Sequence, residues 1–317
     1  MGSETHVLDL PVIDFSNSEL KPGTNEWNSL KSQVQKALEE IGCFKALFNK
    51  VPRELQRATF DALEELFDLP LETKTLNYSP KQSHGYIGQA PMVPLYESLG
   101  FERAHILEEA EKLTNILWPQ GNPNFSKTIQ AFSKQVSELD QLVKRMVMES
   151  LGLEKYKEEF LNSNYYLLRV MKYDGPKSAE KNIGMVPHKD PNTMTILHQN
   201  GINGMEIQTK TGEWIDVKVS PDSFIVMAGE SLNAWTNGRV QPAPHRVMMT
   251  GSEARYSTGL FSIFKEGQMV QAPEEMVDEE HPLLYKPFDY GEFLDFRQRA
   301  TKEVPRPDIS LKAYCGL

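Results

Sequence analysis

His188 and Asp190 stand two residues apart in the run "MVPHKDPNTMTILHQN". An imidazole and a carboxylate at that spacing can serve one metal ion. On an extended strand, residues i and i+2 project to the same face, so both could reach the ion while Lys189 turns away. The triplet alone is weak evidence. With seven histidines and thirteen aspartates in 317 residues, about 0.3 His-x-Asp triplets arise by chance.

A third ligand and a neighbouring motif strengthen it. His245 opens the strand-like run "HRVMMT", late in the same half of the chain. A jelly roll that sets an early strand beside a late one would bring it to the same ion. Two histidines and one carboxylate leave three corners of an octahedral iron open, the arrangement of non-haem Fe(II) oxygenases. Shortly after His245 come Arg255 and Ser257, again at i and i+2. On one strand face they present a guanidinium fork and a hydroxyl, a pair suited to a carboxylate. His198, in "MTILHQ", reads as a wall residue of the barrel rather than a ligand.

The elements that must position these residues follow from texture. "HVLDLPVIDFS" (His6–Ser16) reads as an opening strand and "CFKALF" as a second. "NEWNSLKSQVQKALEEIG" is a helix closed by Gly42. "VPRELQRATFDALEELFDLP" is another, bounded by Pro52 and Pro70. Asn77 to Gly100 is rich in proline, glycine and aromatics and is expected to be a long, lid-like loop walling a site. "FSKTIQAFSKQVSELDQLVKRMVMESLG" is the longest helix. Beyond Asn164, short runs alternate with turns: "YYLLRVMKY", "MTILHQ", "GMEIQT", "EWIDVKV", "SFIVMAG", "HRVMMT" and "YSTGLFSIF". Such spacing predicts a sandwich or jelly roll. A helical tail around "DYGEFLDFRQRA" closes the chain.

Composition excludes several functions. A net charge of −10 and scattered lysines and arginines disfavour nucleic acid and a membrane surface. Two distant cysteines make no disulfide framework. No run approaches the ~20 apolar residues of a membrane span, and no signal-peptide pattern is read. A cytoplasmic monomer acting on a small molecule is expected.

These motifs together resemble the plant 2-oxoglutarate- and Fe(II)-dependent dioxygenases. The likeness runs through "LPVIDFS", "IGCF", "HKDPNTMTIL", "GEWIDVKVSPDSFIVMAG", "TNGR" and "HRVMMTGSEARYS" in family order. The tail "VDEEHPLLYKPFDYGEFLDF" and "LKAYCGL" resembles the AOP-type branch, which includes enzymes of glucosinolate metabolism and hydroxylases of steroidal glycoalkaloids. The resemblance implies a mainly β fold with flanking helices, a double-stranded β-helix core. It implies an N-terminal dioxygenase region at 1–115, a bridging helix at 116–160, the core at 161–265 and a helical tail at 266–317. It implies Fe(II) on His188, Asp190 and His245, and 2-oxoglutarate held by Arg255, Ser257 and Tyr173. O2 is the oxidant, ascorbate the reductant in vitro, and succinate and CO2 the co-products. Around Tyr173 the stretch "MKYD" departs from the family's Asn-Tyr-Tyr-Pro, and Glu230 replaces a usual aspartate. His84, Tyr86, Phe264 and Trp235 are candidates to line the substrate pocket. Residues alone leave open an Fe(II) oxidase without 2-oxoglutarate, or a binding protein without turnover.

Overall fold

Each alternating run of the second half becomes a strand, and three strands from the first half join them. The chain is described from a computed structural model covering residues 9–17, 20–300 and 309–317. The strands of the two main sheets are β1 (Val12–Asp14), β2 (Cys43–Leu47), β3 (Tyr96–Glu102), β4 (Asn164–Tyr173), β5 (Ser178–His188), β6 (Met194–Gln199), β7 (Met205–Gln208), β8 (Trp214–Asp216), β9 (Ser223–Ala228), β10 (His245–Gly251) and β11 (Arg255–Phe264), and the tail adds a short pair, β12 (Met269–Val270) and β13 (Phe288–Asp289). Seven form one sheet in the order β1-β2-β9-β6-β11-β4-β3, and four form another in the order β5-β10-β7-β8. This is the double-stranded β-helix with flanking helices. The major sheet draws strands from both sides of the expected boundary at 115.

Helices cover the outer face of the major sheet. The longest, Pro123–Ser150, starts with the Asn122 side chain accepting from the Phe125 N–H at 3.1 Å, a cap that satisfies one orphan donor. It is shorter than the expected 116–160. Phe125, Ile129, Phe132, Val136, Leu139 and Val143 make its buried stripe. Asp140 and Lys144 lie in the same stripe, 1% exposed, paired at 3.0 Å. Asp140 also accepts from the Tyr166 hydroxyl at 2.9 Å and from Ser262 Oγ at 2.7 Å. Those bonds tie the helix to the outward faces of β4 and β11. The inward faces of the same two strands carry Tyr173 and Arg255.

Several expectations need correction. The opening strand is only Val12–Asp14, and the start of the expected segment, His6 to Leu8, lies outside the described residues. The segment from Asn77 is not loop throughout. It becomes β3 at Tyr96, pairing with β4, and Gly100 hid the strand. A Cβ at Gly100 would meet the His84 carbonyl oxygen at 2.1 Å, so the glycine is there to let the loop lie on the strand. β5 went unseen because it is an edge strand, mostly exposed, with Pro187 near its end; no apolar alternation marks it. The helices Leu107–Leu117 and Glu230–Trp235 were also unforeseen. All six residues of the second are buried, so it has no polar face to reveal a period. Among the described residues, no helix is long and apolar enough to cross a membrane.

Candidate active site

The minor sheet sets the two histidines side by side. β5 and β10 are antiparallel, and His188 and His245 are direct partners in their register. Their ring centroids lie 4.1 Å apart. Each ring is fixed in the same way. His188 Nδ1–H donates to the Val186 carbonyl at 2.8 Å, and His245 Nδ1–H donates to the Ala243 carbonyl at 3.1 Å. Both rings therefore turn Nε2 to the space between them. Burial, and then the neighbouring His245, lower the His188 pKa to about 4, which keeps its lone pair available to a metal.

Asp190 reaches that space by a different route from the one its spacing suggested. β5 ends at His188, and Asp190 lies in the bend beyond it, so the shared strand face does not exist. The bend is held instead. The Glu230 N–H donates to the Asp190 carbonyl at 2.8 Å, and the Gly229 N–H donates to the Thr193 carbonyl at 3.0 Å. A Cβ on Gly229 would meet the Asn192 carbonyl oxygen at 2.1 Å, so only glycine allows this packing. Thr195 Oγ1–H donates to Asp190 Oδ2 at 2.6 Å. That leaves Oδ1 pointing at His188 Nε2, 3.6 Å away, and at His245 Nε2, 3.9 Å away. One ligand atom from each of the three residues falls within 4.8 Å of the others. Two imidazole nitrogens and one carboxylate oxygen, each oriented by a second hydrogen bond, fit a divalent first-row metal.

A cavity of about 590 Å³ opens beside these atoms, lined from both sheets. Arg255 and Ser257 lie on its wall, on one face of β11 as expected. Arg255 is 1% exposed. Its Nη1 donates to Ser257 Oγ at 3.1 Å and its Nη2 to Gln199 Oε1 at 2.7 Å, while Nε has no partner. Burial lowers its pKa from the usual arginine value. The Tyr173 ring lies under the guanidinium, 5.0 Å from its carbon. The Tyr173 hydroxyl faces Met171 Sδ at 3.8 Å. Val93, Tyr96, Met171, Val247 and Met249 pack around this end. A buried guanidinium with an unused N–H, and no carboxylate beside it among the described residues, is a site for an incoming anion.

The other sequence candidates separate. His84 lines the cavity and is only 5% exposed. Both its nitrogens are used: Nδ1–H donates to the Gln82 carbonyl at 2.7 Å, and Nε2 accepts from the Tyr165 hydroxyl at 2.6 Å. Tyr86, Phe264 and Trp235 are not on the cavity wall. Tyr86 turns its hydroxyl to Glu97 at 3.1 Å. Trp235 and Phe264 both pack against Phe160, at 4.5 and 5.7 Å between centroids; they are core. Sequence reasoning missed Thr195, Gln199, Arg169 and Arg297. Arg169 carried a signal, because it shares the strand parity of Tyr173. Arg297 sits on the helix Tyr290–Ala300, pairs with Glu230 at 2.7 Å and borders the cavity.

Comparison with known proteins agrees with this geometry. Residues 157–263 match the 2OG-Fe(II) oxygenase superfamily. Residues 10–121 match the family described as non-haem dioxygenase in morphine synthesis N-terminal. The chain is 51% identical over 303 residues to a probable 2-oxoglutarate-dependent dioxygenase, AOP1.2, of Arabidopsis thaliana, covering 94% of this chain and 93% of that one. It is 32% identical to the 2-oxoglutarate-dependent dioxygenase AOP2 of the same plant, covering 98% of each. The crystal structure of a rice dioxygenase for auxin oxidation superposes with a TM-score of 0.81 at 28% identity, covering 98% of this chain and 100% of that one. The chain belongs to the plant 2-oxoglutarate- and Fe(II)-dependent dioxygenases, in their AOP-type branch.

Proposed function

We propose that this enzyme hydroxylates a small plant specialised metabolite at a C–H bond held beside His188, Asp190 and His245, with desaturation or demethylation as variants of the same chemistry. The observation that carries the reading is the convergence of His188 Nε2, His245 Nε2 and Asp190 Oδ1 next to the buried Arg255–Ser257 pair. In this reading the three side chains hold Fe(II), which with 2-oxoglutarate and O2 supplies the oxidising power and yields succinate and CO2.

The chain's own work is binding and orientation. Arg255 and Ser257 take the far carboxylate of 2-oxoglutarate, with the Tyr173 ring bracing the guanidinium from below. Held at that end by the fork, the co-substrate would be restricted in orientation toward His188, Asp190 and His245. Gln199 keeps the fork in place by accepting from Nη2. The apolar residues around this end exclude water, so each charge-assisted bond acts at low dielectric. Thr195 holds Asp190 by one oxygen and leaves the other for the metal.

The test is direct. Purified protein with Fe(II) and ascorbate should convert 2-oxoglutarate to succinate, slowly alone and faster with substrate. Protein that binds neither iron nor 2-oxoglutarate would end the reading.

A further inference from the structure

The two-residue period of β4 puts Leu167, Arg169, Met171 and Tyr173 on the cavity wall. Arg169 is a cation only 5% exposed. It lies roughly 13 Å along the strand from Tyr173, at ~3.3 Å per residue, and so away from the co-substrate clamp. In the register it stands between Gly100 of β3 and Gly259 of β11. Its partners among the described residues are three neutral acceptors. Nη1 donates to the carbonyl oxygens of Ser83 and Gly85, and Nη2 to Ser98 Oγ.

The remaining charges of the site balance. Arg297 is matched by Glu230. When bound, the two carboxylates of 2-oxoglutarate would match the charge of Fe(II), and Arg255 would offset Asp190. The charge of Arg169 is left over, and a buried charge without a counter-ion is costly. The backbone and hydroxyl dipoles around it ease that cost without cancelling the charge. Three of its five N–H groups are in use. One on Nε and one on Nη2 remain, and a guanidinium with two free donors takes a carboxylate bidentately.

We propose that Arg169 recognises a carboxylate on the prime substrate, so that the enzyme selects acids over their neutral derivatives. This inference rests on the oxygenase reading of the cavity. The competing role is purely mechanical: Arg169 would only hold the 83–85 segment against the sheet.

The test uses holoprotein with Fe(II) and saturating 2-oxoglutarate under anaerobic conditions, so the Arg255 site is already filled. The probes are benzoate, phenylacetate and 3-phenylpropionate, each against its primary amide, with binding read by calorimetry. In the wild type at least one acid should bind ten-fold or more tightly than its amide. Arg169→Gln keeps N–H donors for the Ser83 and Gly85 carbonyls but removes the charge, and the preference should vanish. Arg169→Lys keeps the charge without the fork, and part of the preference should return. The proposal is overturned if no acid binds, if acids and amides bind alike, or if the preference survives in Arg169→Gln. A preparation that binds iron and consumes 2-oxoglutarate, yet shows no preference for acids, loses this inference alone. One that binds neither loses the oxygenase reading.

Discussion

Replacing Arg255 with methionine separates a binding role from a structural one. In the free protein the guanidinium is buried without a carboxylate, and its pKa is lowered by that burial. Removing it relieves a desolvation cost of several kcal/mol. Against this, Ser257 Oγ and Gln199 Oε1 lose a donor, at about 1–3 kcal/mol each, and the stacking on Tyr173 goes too, at about 1–2 kcal/mol. The opposing terms nearly cancel, so the apoprotein should keep its stability to within about 2 kcal/mol, or about 4 °C in Tm. The ligand effect should not survive. At one hundred times its Kd, 2-oxoglutarate stabilises the wild-type iron form by about 2.7 kcal/mol, and Arg255→Met should abolish that shift. Loss of two charge-assisted bonds at about 1.5–3 kcal/mol each raises the 2-oxoglutarate KM by at least a hundredfold. Thermal melts with and without 2-oxoglutarate, together with iron titration, check this. A variant whose apoprotein melts far lower but keeps the 2-oxoglutarate shift would refute the argument and make Arg255 a structural residue.

Two further outcomes follow from named contacts. Thr195→Val preserves shape but removes the donor to Asp190 Oδ2, and iron affinity measured by titration should drop by about ten- to a hundredfold with the fold intact; unchanged affinity would mean Asp190 needs no such support. His198 is buried among Phe224, Phe60 and Phe132. Its Nε2 has no partner, and burial lowers its pKa to about 4. The unfolded chain, with an ordinary histidine, therefore takes up the proton first as pH falls. The stability this neutral ring contributes is complete above pH 6.5 and is lost between pH 6.5 and 4, by about 3 kcal/mol. His198→Phe should flatten the pH dependence of denaturant unfolding by that amount across this window, and an equal slope in wild type and variant would count against it.

The candidate site was nominated from the sequence, but the structure brings its residues together for reasons other than their spacing alone. Arg255 and Ser257 share a strand face as their spacing requires, because β11 is central in its sheet and buried along most of its length. His188 and Asp190 have the same spacing and do not share one. There the chain leaves an exposed edge strand, and Asp190 is placed by contacts that no local period encodes: Gly229 against Asn192, the Glu230 N–H, and the hydroxyl of Thr195. His245 could be nominated from sequence, but its pairing with His188 is a property of register between two distant strands. The three candidate ligands were thus readable as a pattern of types and unreadable as a geometry. Arg169 fails in the opposite way. Its geometry was available, since it shares parity with Tyr173, but a lone arginine in "YYLLRVMKY" reads as an interruption of an apolar strand. Only its neighbours in the fold identify it as a buried charge without a carboxylate among the described residues. A charge of that kind gains its meaning from what is missing around it, and a sequence gives no means of seeing which partner is missing.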